Sequence, residues 1–317
     1  MKPVVVSALL LALGACGGGG GGSETTEAVT PQPDFSNPIV IEPGDPLPTD
    51  ATMPVQISGT AIESIFGGGS GFQTFGSPIA ATLVTSTNTS GDASAGPDKL
   101  RLTANGETVE IDLRESVSSS DLTFDGTTFN ISTDSGAFLI QPFASYTANP
   151  MEYAVYGGWA KTANAADGST ASDKIRFGSF GSATPAASMP SSGSATYTGK
   201  SIGLASVSGG STTAIGFTRS DITVSTTDFN SVTIKSRNTT FSQLGQGNIG
   251  DPLSLNFDAT GSIDKNTLST TSATTAVGDP GRVDGTFYGP SAEEVGGTFS
   301  FESSRGVYGG AFGAKKQ

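Results

Sequence analysis

Residues 281–317 constrain the fold of this chain more than any other stretch. Within them, residues 283–287 alternate between apolar or small side chains and polar ones, the period-two pattern of a strand with one buried face. Gly289-Pro290 ends that run, and similar runs follow at residues 298–302 and 307–314. The pattern predicts antiparallel strands that close on one another, with residues 291–294 forming one short helical turn between the first two.

A longer motif in the same stretch carries a family resemblance. The segment Gly-Thr-Phe-Tyr-Gly-Pro-Ser-Ala-Glu-Glu-Val-Gly-Gly-Thr-Phe, residues 285–299, resembles the closing segment of the β-barrel in the transferrin-binding protein B family of bacterial surface lipoproteins. The final Phe-Gly-Ala-Lys-Lys, residues 312–316, fits the same ending. The resemblance implies an all-β protein, with a C-terminal eight-stranded antiparallel β-barrel preceded by a smaller β-rich handle domain. Eight strands also fill their own interior with side chains.

The region before the barrel is also rich in strand and turn patterns. The pairs Asn105-Gly106 and Asp125-Gly126 predict tight hairpin turns, and residues 108–113 alternate cleanly between polar and apolar side chains. Tyr-Gly-Gly-Trp-Ala-Lys, residues 156–161, resembles the last strand of the family's handle. Residues 183–199 resemble the handle-to-barrel junction and the first barrel strand, which places the boundary near Ala187.

The N-terminus has the pattern of an exported and lipidated protein. An apolar run at residues 4–13 is too short for a bilayer span of about 20 residues but suits a secretory signal. It ends in Leu-Gly-Ala-Cys, which resembles a bacterial lipobox with Cys16 as the acylated residue. The Gly- and Pro-rich residues that follow are typical of a flexible, extended tether, although Ile39-Val40-Ile41 could instead pair as an edge strand. The predicted segments are a signal peptide at residues 1–15, a lipidated, disordered tether at 16–54, the handle at 55–186 and the barrel at 187–317.

Composition excludes several function classes. The formal net charge is −13, so the chain repels phosphate backbones and no nucleic-acid partner is expected. The chain has no histidine, which removes His-based catalytic triads and His-based metal sites. Glu293-Glu294 is the most visible carboxylate pair, but acids at the start of a helical turn are better explained by the helix dipole. We therefore expect no enzyme activity, no cofactor and no metal site.

Aromatic residues supply the candidate contact sites. Phe66, Phe72 and Phe75 flank a Gly-rich loop, where they could form an adaptable apolar contact surface. Alternatively, they fold back under the sheet as a small additional core. Tyr156 lies on the face of its predicted strand opposite Trp159, which makes it the better contact candidate in that strand.

The resemblance also implies a function. It predicts a lipoprotein of the outer membrane, held by its lipid anchor and facing the cell surface, that binds a protein carrier or an iron- or haem-bearing ligand. The partner that receives this ligand would be a TonB-dependent outer-membrane receptor. The family's best-known member carries two handle–barrel lobes whereas this chain has room for one, so transferrin itself is not implied. The alternative is a structural or adhesive surface lipoprotein with no role in nutrient uptake.

Overall fold

The computed structural model describes residues 34–48, 53–66, 74–87, 98–112, 122–124, 127–129, 137–140, 151–161, 173–209, 212–243, 247–250 and 255–317. Within these ranges the regular elements are strands, apart from a single 3₁₀ turn at Ala186–Ser188. None of the described residues forms a helix long and apolar enough to cross a membrane. The all-β prediction is therefore confirmed.

The first strands build an antiparallel sheet that we call the N-terminal sheet. Its order is β5-β4-β3-β2-β10-β9-β8, with β1 paired in parallel to β2, and β6 and β7 form a separate two-stranded sheet. The strands are β1 (Ile39–Val40), β2 (Val55–Phe66), β3 (Ile79–Thr85), β4 (Lys99–Ala104), β5 (Glu107–Asp112), β6 (Leu122–Phe124), β7 (Thr127–Phe129), β8 (Ala137–Ile140), β9 (Ala154–Lys161) and β10 (Asp173–Gly181).

The remaining strands form the barrel. Its order is β12-β11-β19-β18-β17-β16-β15-β13, and an additional β12–β13 pairing closes the circle, while β14 pairs only with the end of β13. The predicted closed barrel of eight antiparallel strands is thus confirmed. The strands are β11 (Ala195–Gly209), β12 (Thr212–Thr226), β13 (Ser231–Gln243), β14 (Gly247–Gly250), β15 (Phe257–Asp264), β16 (Thr267–Thr275), β17 (Gly281–Tyr288), β18 (Glu294–Ser303) and β19 (Gly306–Lys316).

The barrel interior is filled by aromatic rings, as expected for eight strands. Phe257, Phe299 and Tyr308 lie with ring centroids 5.2 Å (Phe257–Phe299) and 4.9 Å (Phe299–Tyr308) apart. Nearer the other end, the ring centroids of Tyr197 and Phe287 are 5.7 Å apart. The alternation of residues 283–287 and 298–302 therefore marks side chains that point into the barrel, and the interior is a packed core.

The N-terminal sheet curls, and a buried ion-pair cluster ties its first strands to its last. Arg176 of β10 is fully buried, and its Nε donates to Glu63 Oε2 at 2.7 Å. Its Nη2 donates to Glu107 Oε2 at 2.6 Å, although β5 and β10 are not neighbours in the sheet. Lys174 Nζ also reaches Glu107, at 3.0 Å. Such a contact requires the sheet to bend round, so that the side chains of β5 and β10 meet on its concave face.

Two local features differ from the sequence expectations. Ile39 and Val40 pair with Val55 and Gln56 of β2, which is the edge-strand alternative, so the predicted disordered tether does not extend through these residues. The predicted helical turn at residues 291–294 is wrong: a tight turn ends at Ala292, and Glu294 already begins β18. Cys16 and the first part of the tether lie outside the described residues.

The ion-pair cluster predicts a pH-dependent loss of stability. Hydrogen bonding from Arg176 is the main cause that lowers the pKa of Glu107 to about 2, from an ordinary 4.5. A lowered carboxyl pKa stabilises the fold above pH 4.5, and this contribution disappears as the pH falls towards 2. Glu107→Gln should lower the free energy of unfolding by about 2 kcal/mol at pH 7. The difference from wild type should narrow between pH 4.5 and 2 in denaturant titrations.

Glu110→Gln is the matched control on the same strand. Glu110 pairs with Arg101 in register across β4 and β5, and both side chains are well exposed. An exposed pair contributes below about 1 kcal/mol. Equal losses for the two variants, or a Glu107→Gln loss that does not change with pH, would contradict the role given to Arg176.

Candidate functional site

The N-terminal sheet packs against the outside of the barrel, and this junction has its own apolar core. The contact joins the outward faces of β11, β12, β18 and β19 to the faces of β2, β9 and β10 that point away from the interior of the N-terminal sheet. The buried residues of this core are Ile62, Phe75, Tyr156, Ala160, Ile175, Phe177, Ile202, Leu204, Phe217 and Ala311. Strands β9 and β10 are therefore buried on both faces, because Trp159 and Phe180 lie in the separate core of the N-terminal sheet.

Two glycines of β19 let aromatic rings lie directly on the barrel backbone. A Cβ built at Gly313 would lie 2.4 Å from both Met151 Sδ and the ring of Tyr156. A Cβ built at Gly309 would lie 2.5 Å from the ring of Phe75. Distances this short are overlaps, so any larger residue would push the N-terminal sheet away from the barrel. The glycines of the last strand thus serve the close approach of another backbone and its side chains.

A buried carboxylate joins the two sheets by hydrogen bonds. Glu294, at the start of β18, has no exposed surface. Its Oε1 accepts from the backbone N–H of Glu152 at 2.6 Å, and its Oε2 accepts from that of Tyr153 at 3.0 Å. Burial is the main cause that raises the pKa of Glu294, and it is opposed by the backbone donors of residues 152–154 and by the charge of Lys315. A barrel side chain therefore fixes the entry to β9 at the cost of placing a carboxyl away from water.

The tight turn that precedes Glu294 is also held in place. Ala292 has a positive φ of 60°, in the left-handed region, and is fully buried. Its carbonyl accepts from Tyr197 Oη inside the barrel at 2.8 Å. On the other side, the N–H of Gly289 donates to the carbonyl of Ser182 at 3.0 Å. The shape of this turn is thus fixed by one hydrogen bond from inside the barrel and by another to the segment that connects the two sheets.

A groove of about 350 Å³ opens beside the junction. Two rows of outward-facing residues on β19, β11 and β12 form its barrel wall, because the strand registers align Gly313 with Lys200 and Asp221, and Lys315 with Thr198 and Thr223. Met151 and Tyr156 line it from the N-terminal sheet. Lys200 and Asp221 form an ion pair within the first row. This groove is the concave surface at which both parts of the molecule could contact a ligand.

The structure places two of the four predicted contact residues in the junction core. Phe75 and Tyr156 are each 5% exposed, and the ring centroid of Phe75 is 6.1 Å from that of Phe177. For Phe75, this is the small-core alternative. Tyr156 does face away from Trp159, as the alternation predicts, but the barrel covers that face. The side chain of Phe66 and the whole of Phe72 lie outside what the structure describes, so their contact role stays a prediction.

Sequence reasoning missed the role of Glu294 and the groove lysines. In the sequence Glu294 stands out only as half of a carboxylate pair, because its hydrogen-bond partners lie 142 and 141 positions away. Glu293 instead turns back to its own loop, where Oε2 accepts from the N–H of Ser291 at 2.8 Å. Within the described ranges, no group of three or more acidic, histidine or cysteine side chains is placed to hold a metal ion.

Comparison with known proteins identifies the type of barrel. Residues 189–316 match the family model described as the C-lobe and N-lobe beta barrels of Tf-binding protein B. No curated protein sequence matches the chain. The sequence resemblance is therefore confirmed, and the match covers the barrel.

Solved structures with a limited similarity to this chain come from several bacteria. A transferrin-binding protein B variant of Haemophilus parasuis has 14% identity and a TM-score of 0.36, covering 87% of this chain and 78% of its own. The protein from Neisseria meningitidis serogroup B has 14% identity and a TM-score of 0.35 over the same shares. The N-lobe of lactoferrin-binding protein B of Moraxella bovis has 14% identity and a TM-score of 0.35, covering 58% of this chain and 80% of its own. Because these identities and TM-scores are low, the family match of residues 189–316 is the only one of the comparisons that supports the barrel type.

The close approach at Gly313 predicts a steric effect on stability. Gly313→Ala should lower the free energy of unfolding by about 1–3 kcal/mol, because the added methyl group overlaps Met151 and Tyr156. Gly76→Ala is the matched control, since a Cβ there would meet its nearest atom, the carbonyl oxygen of Glu63, at an ordinary 3.8 Å. Thermal and denaturant unfolding would measure both variants. Equal stabilities for them would show that the sheets do not pack as closely as described.

The buried carboxylate predicts a second, independent effect. Glu294→Ala removes both acceptors and leaves two buried N–H groups without partners, which should cost about 2 kcal/mol or more. Hydrogen exchange at the amides of Glu152 and Tyr153 should accelerate markedly. Glu293→Ala is the neighbouring control and should leave the exchange of both amides unchanged. Unaltered hydrogen exchange in the Glu294→Ala variant would show that Glu294 does not hold the residues that lead into β9.

Proposed function

We propose that this chain, whose barrel belongs to the transferrin-binding protein B family, is a lipoprotein anchored through Cys16 to the outer membrane and facing the cell surface. It binds a protein carrier of iron or haem and passes the ligand to a TonB-dependent outer-membrane receptor. Binding is non-catalytic. The tether lets the folded body reach partners in solution and at the membrane.

The match of residues 189–316 to the family's barrels is the observation that carries this proposal. The family is named for transferrin, a protein, so a protein carrier is the partner class that follows. The junction supplies a physical rationale, since a barrel and a sheet held by Glu294 and by close packing make a rigid base for variable loops. Recognition residues commonly lie on such loops, while the scaffold keeps its geometry.

Contacts at the loop between β2 and β3 are part of the proposal. Phe66, the last residue of β2, and Phe72 are the contact residues proposed there, because aromatic side chains are frequent interface anchors. Phe75 is excluded from this set, since it packs in the junction core. Tyr156 contributes by shaping the groove floor rather than by a broad exposed surface.

A capture experiment oriented through the anchor position tests the proposal. Cys16 is the only cysteine, so the full chain produced without export can be coupled to beads through that thiol. The beads are exposed to purified iron- and haem-carrier proteins and, separately, to detergent-solubilised outer membrane, and bound proteins are identified by mass spectrometry. We expect one carrier and one TonB-dependent receptor to be retained.

Matched variants then locate the contacts. Phe66→Ser combined with Phe72→Ser should weaken carrier capture at least about tenfold, the effect of losing one or two interface anchors. Met53→Ser is the control, because Met53 is an exposed apolar residue, 50% accessible, outside that loop. Capture that survives the double change would remove the loop from the proposal and leave the function. A folded bait that retains neither carrier nor receptor would instead favour the structural or adhesive alternative.

A further inference from the structure

The groove beside the junction carries one lysine that forms no ion pair with a described residue. Lys315 lies on its rim, and within the described residues its ammonium group has no carboxylate within ion-pair distance. Its register partner on β18 is Glu294, whose two oxygens already accept from the backbone of residues 152 and 153. The second lysine, Lys200, is paired with Asp221. Lys315 therefore forms no ion pair of its own, although it lies near enough to Glu294 for its charge to lower the pKa of that carboxyl.

Apart from Lys315 and the Lys200–Asp221 ion pair, the groove is lined by uncharged residues, and its position follows from the strand register. Along β19, Ala311 is covered by the N-terminal sheet, Gly313 lies under the edge of that sheet, and Lys315 lies beyond it. Met151 and Tyr156 therefore form the floor of the groove, and both residue types are suited to adaptable contacts. Thr198 and Thr223 add hydroxyl groups in line with Lys315.

We propose that this groove binds a carboxylate-bearing segment of a protein partner. The carboxylate of an Asp or Glu pairs with Lys315, and a neighbouring apolar side chain of the same segment packs on Met151 and Tyr156. A cavity of about 350 Å³ has room for two such side chains but not for a folded surface. The inference rests on the proposed function, since it specifies how a captured protein partner is held.

Methionine methyl groups provide a direct reporter. The chain has four methionines, Met1, Met53, Met151 and Met189, and of the three that the structure describes only Met151 lines the groove. The full chain with Cys16→Ser, labelled with ¹³C at the methionine methyls, is titrated with the blocked dipeptide acetyl-Phe-Glu-amide. The Met151 signal should shift with a saturable curve. The signals of Met53, which is exposed, and of Met189, which packs against the barrel core, should stay in place.

Charge controls show which group is recognised. The neutral dipeptide acetyl-Phe-Gln-amide should bind about two- to fivefold more weakly, as should the acidic dipeptide to a Lys315→Gln variant, the range expected for one partly exposed ion pair. Raised salt should reduce the difference. Lys235→Gln makes the same charge change at an exposed position outside the groove and should bind like wild type.

Several outcomes would overturn the proposal. A Met151 signal that does not move, or equal affinity for the two dipeptides in wild type and in Lys315→Gln, excludes a carboxylate site. A shift caused by phosphatidylglycerol vesicles and not by the dipeptide would assign the groove to a lipid surface.

The two proposals fail separately. If Lys315→Gln does not change carrier capture on the beads, the proposed function stands and the groove is not the site of capture. If the dipeptide binds but no carrier is captured, the groove is a carboxylate site and the proposed function is wrong.

Discussion

The structure depends on how closely the N-terminal sheet lies on the barrel. Two sheets normally stack about 10 Å apart, because side chains from both faces fill the space between them. Here β19 presents glycines at residues 309 and 313, so the rings of Phe75 and Tyr156 lie on its backbone. The buried rings supply the apolar contact between the sheet and the barrel. The hydrogen bonds of Glu294 fix the position of the sheet on the barrel. This contact sets the position of the N-terminal sheet on the barrel and, with it, the position of the groove.

Alternation predicts the strands of the closing segment, because a strand with one buried face repeats every second residue. The count of eight barrel strands comes from the family resemblance. The strand β16, Thr267–Thr275, shows the limit of the argument from alternation. It is rich in Ser and Thr, and its apolar side chains are few, with Leu268 and Ala273 buried. What holds it is pairing with β15 and β17, which only the closed barrel provides. Likewise, Ile39 and Val40 form a strand of two residues, too short to show any period.

The junction could not be predicted for a different reason. Alternation separates the two faces of β9 but says nothing of what covers each one. Trp159 meets the core of the N-terminal sheet, and Tyr156 on the other face meets the barrel, where solvent was expected. Whether a second layer covers a strand depends on contacts far apart in the sequence. Glu294 shows the same dependence, since the two backbone N–H groups that it accepts from lie 142 and 141 positions away in the sequence.

Retaining a carboxyl group at such a place needs a reason, because burial disfavours its charge. The start of β9 offers two N–H groups that no strand accepts, and an apolar residue at position 294 would leave them without partners. Glu294 is also the register partner of Lys315, and the positive charge of that lysine lowers the pKa of Glu294 against the effect of burial. Lys315 lies at the edge of the groove and forms no ion pair with a described carboxylate. Changes at Gly313 or Glu294 must alter both the seating and the groove, whereas Thr198 and Thr223 can vary to suit a ligand without disturbing the junction.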